Sequence, residues 1–203
     1  MDGLDRRTVL TGGLALAAGP AFAQPDSGLV RVALKTGKGV ITLDLNQAKA
    51  PITTNNFLRY VDQHRYDHGI FYRASRIKEA PQYGVIEGGL RDTTKMLKPI
   101  PHESTLKTGL SHKDGTISMA NRRPGDATSE FFICIGDQSS FDADPADPHK
   151  AGFAAFGQVV DGMDVVKAIL AAPTSPTAGE GAGVMRGQML SPQIPILTAR
   201  RVT

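Results

Sequence analysis

Apolar and polar residues alternate in two neighbouring stretches near the start of the chain, Leu29–Thr36 and residues 40–45. Every second residue is apolar in both, with Val32 and Leu43 near the middle of each stretch. A repeat of two is the period at which the side chains of a β-strand return to the same face. Residues 37–39, Gly-Lys-Gly, separate the stretches, so the pattern predicts a β-hairpin with a glycine turn.

Two other stretches place apolar residues three or four positions apart, which is the spacing of one helix face. The first begins at Pro51 and is predicted to end near Gln63, because proline suits a first helical turn, where its missing N–H has no helical partner. The second covers residues 163–170. The apolar positions are Phe57, Leu58 and Val61 in the first stretch and Val165, Val166, Ile169 and Leu170 in the second. The sequence therefore predicts two short amphipathic helices.

The rest of the chain carries short strand-like runs. They cover residues 70–73, 85–86, 116–120, 131–135, 153–160 and 194–202. Residues 171–183, rich in proline, glycine, alanine and threonine, are predicted to form a loop. Many short strands with two helices favour a closed β-barrel or a β-sandwich over a parallel sheet with crossover helices.

The first 23 residues have the three parts of a secretory signal peptide. Arg6 and Arg7 form its charged start, residues 9–18 are mostly apolar, and residues 21–23, Ala-Phe-Ala, precede the expected cleavage site. The arginine pair followed by Thr-Val-Leu resembles the twin-arginine export signal of bacteria. The alternatives are an uncleaved membrane anchor and a chance pair of basic residues. The pattern predicts export to the periplasm.

Composition and charge fit one globular domain, residues 28–203. The chain is 40% hydrophobic and 21% charged, which does not indicate disorder. No stretch after the signal reaches 18 uninterrupted apolar residues, so no stable membrane insertion is expected once the signal is cleaved. A net charge of +3 without a basic block argues against a nucleic-acid partner, and nothing requires more than a monomer. The single cysteine, Cys134, is interpreted as a buried strand residue.

Six short motifs follow one another between residues 50 and 166. They are Ala-Pro-Ile-Thr with Asn-Phe-Leu at 50–58, Phe-Tyr-Arg at 71–73, Ile-Glu-Gly-Gly at 86–89, Ser-Met-Ala-Asn at 118–121, Ser-Glu-Phe-Phe-Ile at 129–133 and Phe-Gly-Gln-Val with a later Val-Val at 156–166. In this order they resemble the motifs of the cyclophilins, here of an exported bacterial branch. The resemblance implies a mainly β fold, an eight-stranded antiparallel closed β-barrel capped by two α-helices. It also implies a peptidyl-prolyl cis–trans isomerase that needs no cofactor and acts on proline-containing polypeptides.

Arg73 matches the catalytic arginine of that family. Isomerising an X–Pro bond breaks amide resonance over a barrier of about 18–20 kcal/mol and takes roughly tens to hundreds of seconds uncatalysed. A fixed donor beside the prolyl nitrogen stabilises the twisted state, and arginine is always charged and only donates hydrogen bonds. The simpler alternative for Arg73 is an outward-facing arginine of a strand.

The resemblance also carries substrate-binding roles over to this sequence. Phe132 matches the floor of the proline pocket, and Ala120 and Asn121 match the segment that pairs with the substrate backbone. Phe141 and Phe153 stand where the family has residues of the pocket wall. The predicted substrate-binding residues are Glu87, Met119, Ala120, Asn121, Glu130, Phe132, Phe141 and Phe153.

Three positions depart from the family pattern. Glu87 and Glu130 replace glutamines, and an ionised glutamate only accepts hydrogen bonds, whereas glutamine also donates them. Two carboxylates beside Arg73 would hold its guanidinium in place or neutralise its field. Gly84 stands where the family has a pocket aromatic, and the neighbouring Tyr83 is the residue that could fill the space. We therefore expect weaker catalysis than in relatives that carry the glutamines.

No pattern in the sequence predicts a metal site. The five histidines are scattered and are interpreted as surface residues, since His64 and His68 fall where a helix is predicted to end. Asp142, Asp144 and Asp147 lack the spacing, the glycine and the terminal glutamate of a calcium loop, so this loop is interpreted as solvated.

Two functions compete with catalysis on the same barrel. One is a binding module or chaperone that holds proline-containing segments with little or no turnover, and the other is a purely structural barrel. The feature that discriminates them is the pair of glutamates, Glu87 and Glu130, expected beside Arg73. Peptides that bind without isomerising faster would favour the binding module.

Overall fold

The computed structural model describes residues 28–179 and 183–202. The segment interpreted as a signal peptide, residues 1–23, lies outside these ranges. Within them, no helix has the length and the apolarity that a membrane-crossing helix requires.

The alternating stretches at the start of the described chain form the predicted hairpin. β1 (Leu29–Thr36) and β2 (Gly39–Asn46) pair antiparallel, with Val32 opposite Leu43. Both side chains are fully buried, so the apolar face of the hairpin points into the core. The period of two in the sequence thus predicts both the strands and the face that they bury.

The strands close into one antiparallel barrel, in which β1 pairs with the last strand, β8. The other strands are β3 (Ile70–Ile77), β4 (Ala80–Gly89), β5 (Thr116–Met119), β6 (Phe131–Ile135), β7 (Ala154–Asp161) and β8 (Met189–Arg201). Their order around the barrel is β1-β2-β7-β5-β6-β4-β3-β8. The eight-stranded barrel is therefore confirmed and the sandwich is excluded. Closure removes the unpaired sheet edges that would otherwise need protection.

Three α-helices lie along the described chain: α1 (Pro51–Asp62), α2 (Thr105–Thr108) and α3 (Met163–Leu170). The first and third are the two predicted helices. The second is a single turn that the periodicity does not predict, because four residues are too few to show a helical repeat.

The first turn of α1 donates hydrogen bonds to a residue far along the chain. Ala50 precedes the helix and supplies no side-chain cap. Instead the buried carboxylate of Glu103 accepts hydrogen bonds from the N–H groups of Ile52 and Thr53, at 3.2 and 2.7 Å. The negative charge lies at the positive end of the helix dipole, and it satisfies N–H groups that have no partner within the helix.

The strands differ from the predicted runs mainly in length. β4 covers Ala80–Gly89 rather than residues 85–86, and β8 begins at Met189 rather than at Ile194. Proline and polar residues interrupt the alternation in both extensions. Backbone pairing with neighbouring strands holds them, as where Met189 pairs with Arg73. Such pairing joins residues that are distant in sequence, so a local pattern does not report it.

Aromatic rings fill the interior of the barrel. The ring centroid of Phe57 in α1 lies 5.4 Å from that of Phe131 in β6 and 5.4 Å from that of Phe156 in β7. Phe131 also meets Phe71 of β3 edge-on, at 5.7 Å. All four rings are fully buried. This dense packing supports β3 and β6 from the inside, and the candidate site lies on the outer faces of β3, β4 and β6.

Candidate active site

Arg73 lies on the outer side of β3, beside a bulge in the strand. Phe71 pairs with Gly88 on β4 and Arg73 pairs with Glu87, so the register skips Tyr72. Phe71 packs in the core, whereas the side chain of Arg73 is 20% exposed. The bulge turns both Tyr72 and Arg73 to the outside of the barrel.

Three predicted site residues form a row across neighbouring strands. Arg73 on β3 is the register partner of Glu87 on β4, and Glu87 is the register partner of Phe132 on β6. Phe132 in turn pairs with Ser118 on β5. Directly opposed residues of antiparallel strands lie about 4.5–5.5 Å apart, so the row brings a cation, a carboxylate and an aromatic ring into contact distance.

The guanidinium of Arg73 is held by two acceptors. Nη1 donates to Oε2 of Glu87 at 2.8 Å, and Nε donates to Oε1 of Gln188 at 2.8 Å. The carboxylate of Glu87 is 9% exposed, which makes this ion pair less screened than one on the surface. Among the described residues, nothing accepts a hydrogen bond from Nη2. The charged group is therefore fixed in orientation with one amino group still available.

Phe132 is the centre of an apolar cluster outside the barrel core, which we call the outer cluster. It comprises Val85, Ala120, Phe132, Cys134, Phe141 and Phe153. The ring centroid of Phe132 lies 5.2 Å from that of Phe153 and 5.7 Å from that of Phe141, and both contacts are edge-to-face. Cys134 is fully buried in β6 as predicted, and burial raises the pKa of its thiol to about 12. The outer cluster is a dry aromatic surface directly beside the row.

His112 lies beneath this cluster, which corrects the interpretation of all five histidines as surface residues. Its side chain is fully buried and its ring stacks on Phe132, with centroids 5.8 Å apart and planes 14° from parallel. Nδ1 is 2.5 Å from Oδ1 of Asp142, and Nε2 is 2.9 Å from Oγ of Ser118. Burial lowers the pKa of His112, although Asp142 opposes that effect. A neutral ring that donates from Nδ1 and accepts at Nε2 satisfies both contacts.

Asp142 is part of the site rather than of a solvated loop. Its carboxylate accepts hydrogen bonds from the hydroxyl of Ser111 and from the backbone N–H of His112, besides its contact with the imidazole. Burial on its own would raise the pKa of Asp142, but these hydrogen bonds outweigh it and the pKa is lowered. No local sequence pattern predicts the pairing of His112 with Asp142, because the two residues lie 30 positions apart.

Glu130 does not contact Arg73, contrary to the expectation that both glutamates flank it. Its Oε1 lies 2.6 Å from Nη1 of Arg91. The guanidinium of Arg91 also lies over the ring of Tyr72, 4.4 Å from its centroid. Burial, then the charges of Glu87 and Glu130, raise the pKa of Tyr72, so its hydroxyl stays protonated. Of the two glutamates, Glu87 is therefore the one that contacts the predicted catalytic arginine.

A cleft of about 390 Å³ continues from the row past Glu87. It is lined by Tyr72, Glu87, Arg91, Thr93, Met96, Ala120, Asn121, Arg122, Asp126, Thr128, Glu130 and Met185. Two of the predicted backbone-pairing residues, Ala120 and Asn121, thus lie on its wall. The amide Nδ2 of Asn121 is buried and has no hydrogen-bond partner in the part of the chain that the structure describes. The cleft offers polar groups of both signs beside the apolar outer cluster.

Met119 is the one predicted site residue that the structure places away from this surface. Its side chain is fully buried and belongs to the core cluster of the barrel. Its neighbours Ser118 and Ala120 point to the other face, as the alternation of a strand requires. Met119 therefore supports the site from the interior and is not part of its surface.

Gly84 and Tyr83 do not line the outer cluster. Gly84 has a φ of +145°, and a Cβ atom there would lie 2.0 Å from the carbonyl oxygen of Ser75, so the backbone leaves no room for a side chain. Tyr83 is 45% exposed and packs over Gly136. The β4 residue that packs in the outer cluster is Val85. Tyr83, the aromatic residue of β4, thus does not pack against Phe132.

Several residues of this site were not predicted, and four of them show which signals the sequence holds: Val85, His112, Met185 and Gln188. Val85 is a candidate on its strand pattern, since it lies two residues before Glu87 and so on the same face. His112, Met185 and Gln188 carry no local signal, because each reaches the site through a connection between elements. These three residues reach the site only because of the path that their loops take in the folded chain.

A family model described as "Cyclophilin type peptidyl-prolyl cis-trans isomerase/CLD" matches residues 31–196. The chain is 36% identical over 176 residues to a peptidyl-prolyl cis-trans isomerase of Acinetobacter baylyi, with 85% of each chain covered. It is 37% identical to peptidyl-prolyl cis-trans isomerase A of Dickeya dadantii, with 75% of this chain and 76% of that protein covered.

Solved structures agree in fold. A crystal structure of a cyclophilin-type peptidyl-prolyl cis-trans isomerase from Cryptosporidium parvum superimposes with a TM-score of 0.67 at 18% identity. It covers 86% of this chain and 98% of its own. This likeness supports the closed barrel independently of the sequence matches.

Proposed function

The chain belongs to the cyclophilin-type peptidyl-prolyl cis–trans isomerase family and is an enzyme of that activity, and we propose that its active site is the row formed by Arg73, Glu87 and Phe132. One observation carries this proposal: the row places a fixed cation beside a dry aromatic surface on three adjacent strands. Proline-containing peptides are the substrates of cyclophilins, and these two features are what an X–Pro bond requires.

Arg73 supplies the polar part of the reaction. As the X–Pro bond twists, resonance is lost and the prolyl nitrogen becomes pyramidal and able to accept a hydrogen bond. Nη2 of Arg73 donates to this nitrogen, while Glu87 and Gln188 hold the other edges of the guanidinium. Because the planar amide nitrogen accepts poorly, the donor stabilises the twisted state more than the ground state.

The outer cluster supplies the apolar part. The pyrrolidine ring packs against Phe132, with Phe141 and Phe153 as walls. Exclusion of water around the ring strengthens the hydrogen bond from Arg73. Ala120 and Asn121 bind the substrate backbone in the adjoining cleft, where Nδ2 of Asn121, which has no partner among the described residues, donates to a substrate carbonyl.

Glu87 restrains this chemistry. Its carboxylate orients Arg73 as a glutamine would, but its charge also offsets part of the positive field at the prolyl nitrogen. Catalysis is therefore weaker than in relatives with a neutral residue at this position. Glu130 contributes less, because its charge is engaged by Arg91.

The experiment that tests the site is a protease-coupled isomerisation assay on a Xaa-Pro peptide with wild type, Arg73→Ala and Arg73→Lys. Removing the donor should lower kcat/KM by about 10²- to 10³-fold, the range seen when one preorganised donor is deleted. Lysine keeps the charge but not the planar fork, so its activity should be intermediate. Arg31→Ala, an exposed arginine on β1, serves as the matched control.

Unchanged activity in Arg73→Ala would overturn the assigned site. The relatives named above are isomerases, which does not favour the alternative of a binding module without turnover. The purely structural barrel would show neither binding nor turnover in the same assay.

The proposed clients are exported proteins that contain X–Pro bonds, and the enzyme assists their folding in the periplasm as a monomer. This part rests on the sequence of residues 1–23, a twin-arginine signal followed by a domain at 28–203. Arg6→Lys combined with Arg7→Lys should leave the precursor in the cytoplasm, as followed by cell fractionation. Export at the wild-type level would refute the twin-arginine assignment.

A further inference from the structure

Gln188 lies immediately before β8 and is attached to β3 by both its side chain and its backbone. Oε1 accepts the hydrogen bond from Nε of Arg73 at 2.8 Å, and its carbonyl oxygen accepts one from the N–H of Ala74 at 2.9 Å. Its own N–H donates to the carbonyl of Met185 at 3.0 Å. Two hydrogen bonds thus hold the backbone of Gln188. They fix the point from which its side chain extends, and so the position of Oε1.

The two acceptors of Arg73 act on different edges of the guanidinium. Glu87 binds Nη1, whereas Gln188 binds Nε, which is the nitrogen nearest the aliphatic part of the side chain. One hydrogen bond leaves a planar group free to pivot about it, but two bonds at different nitrogens fix its plane. Nη2 then points in one direction only. Fixing a donor before the reaction begins is what preorganised catalysis requires.

The connection that carries Gln188 also reaches the cleft. Met185 lines the cleft together with Tyr72 and Glu87. The start and the end of this connection between α3 and β8 are joined by a hydrogen bond, in which the N–H of Ser175 donates to the carbonyl of Met189. The segment before β8 is therefore a wall of the candidate site.

We propose that Gln188 is a positioning residue for catalysis: its Oε1 fixes the plane of the Arg73 guanidinium so that Nη2 meets the prolyl nitrogen. The proposal rests on the proposed function of Arg73. Gln188 touches no reacting atom and acts only through the arginine.

The test compares Gln188→Met, which keeps the size and removes the acceptor, with Gln188→Glu, which keeps an acceptor. Gln188→Met should lower kcat by about tenfold or more with little change in KM, because misdirection of a catalytic group affects the transition state rather than binding. Gln188→Glu should retain more activity than Gln188→Met. Gln193→Met, at an exposed glutamine of β8, is the matched control and should behave as wild type.

A double-mutant cycle separates positioning from a general structural role. In an Arg73→Lys background, Gln188→Met should have little further effect, because the planar fork that Gln188 orients is absent. The Nε proton of Arg73 should exchange with solvent faster in Gln188→Met than in wild type, because it has lost its acceptor, and NMR measures this exchange rate.

The outcomes distinguish the two proposals. If Arg73→Ala is inactive and Gln188→Met retains wild-type kcat, the inference about Gln188 fails and the proposed site stands. An equal loss in both backgrounds also overturns the inference, since Gln188 would then act independently of Arg73. If Arg73→Ala is fully active, the proposed site itself fails.

Discussion

At the scale of single residues, the two glutamates of the site have different neighbours and therefore different effects. Glu87 pairs with Arg73 at 2.8 Å and its carboxylate is nearly buried, whereas Glu130 pairs with Arg91 at 2.6 Å and its side chain is 29% exposed. Charges that are shielded from water interact more strongly. We therefore expect the charge of Glu87, rather than that of Glu130, to affect the reaction.

The prediction at this scale concerns the two charge-neutralising substitutions. Glu87→Gln keeps an acceptor for Arg73 and removes the negative charge, so kcat/KM should rise about fivefold, the equivalent of about 1 kcal/mol. Glu130→Gln should change kcat/KM by less than about twofold, since it acts through Arg91. The measurement is the protease-coupled assay on both single variants and on the double variant. A loss of activity in Glu87→Gln would mean that the charge itself is needed to hold the arginine.

At the scale of elements, the hairpin of β3 and β4 determines where Tyr83 and Gly84 lie. In the sequence, Gly84 stands where the family has a pocket aromatic, and the neighbouring Tyr83 is the residue that could fill the space. The backbone shows a different reason for the glycine. The positive φ of Gly84 and its close approach to Ser75 require a residue without a side chain, and Tyr83 packs outward over Gly136. The conformation of the hairpin thus requires a glycine at position 84, and this residue does not mark a missing pocket side chain.

Gly84→Ala should accordingly destabilise the protein by about 2 kcal/mol or more, since it combines an unfavourable φ with a steric clash. Gly109→Ala is the matched control. Gly109 also has a positive φ, of 68°, but a Cβ atom there meets nothing within 4 Å, so its substitution should cost only about 1 kcal/mol. Denaturant midpoints of the three proteins measure the difference. Equal midpoints for the two variants would show that the hairpin can relax.

At the scale of the whole molecule, His112 ties together segments that meet only in the closed barrel. It joins Asp142, Ser118 of β5 and Phe132 of β6. Burial lowers its pKa below the unfolded value of 6.5. Between the folded and the unfolded pKa, the unfolded chain binds a proton that the folded chain does not, so stability falls as the pH drops below about 6.5.

We therefore expect the free energy of unfolding to decrease between pH 7.5 and 5.5 in wild type and to decrease less in His112→Gln. Asp142 does not obscure this window, because its lowered pKa removes stability only as the pH falls below 3.8. The exposed His149→Gln variant is the control and should keep the wild-type dependence. Urea unfolding at several pH values measures the slopes. An unchanged slope in His112→Gln would place the titration elsewhere.

Much of the molecule follows from the sequence by itself. The alternation in β1 and β2, the apolar spacing of α1 and α3, and the order of the six motifs determined the strands, the two main helices and the family. They also selected Arg73, Glu87 and Phe132, because strand periodicity and motif identity are local properties.

The tertiary structure alone decided which of these groups meet. Arg73 and Gln188 are 115 residues apart, and no local pattern encodes their hydrogen bond. How the loops cross the closed barrel likewise determines that Glu130 pairs with Arg91 and that His112 is buried. A sequence pattern determines the face on which a side chain lies. The partner it finds there is determined by strand register and loop path, which only the folded chain provides.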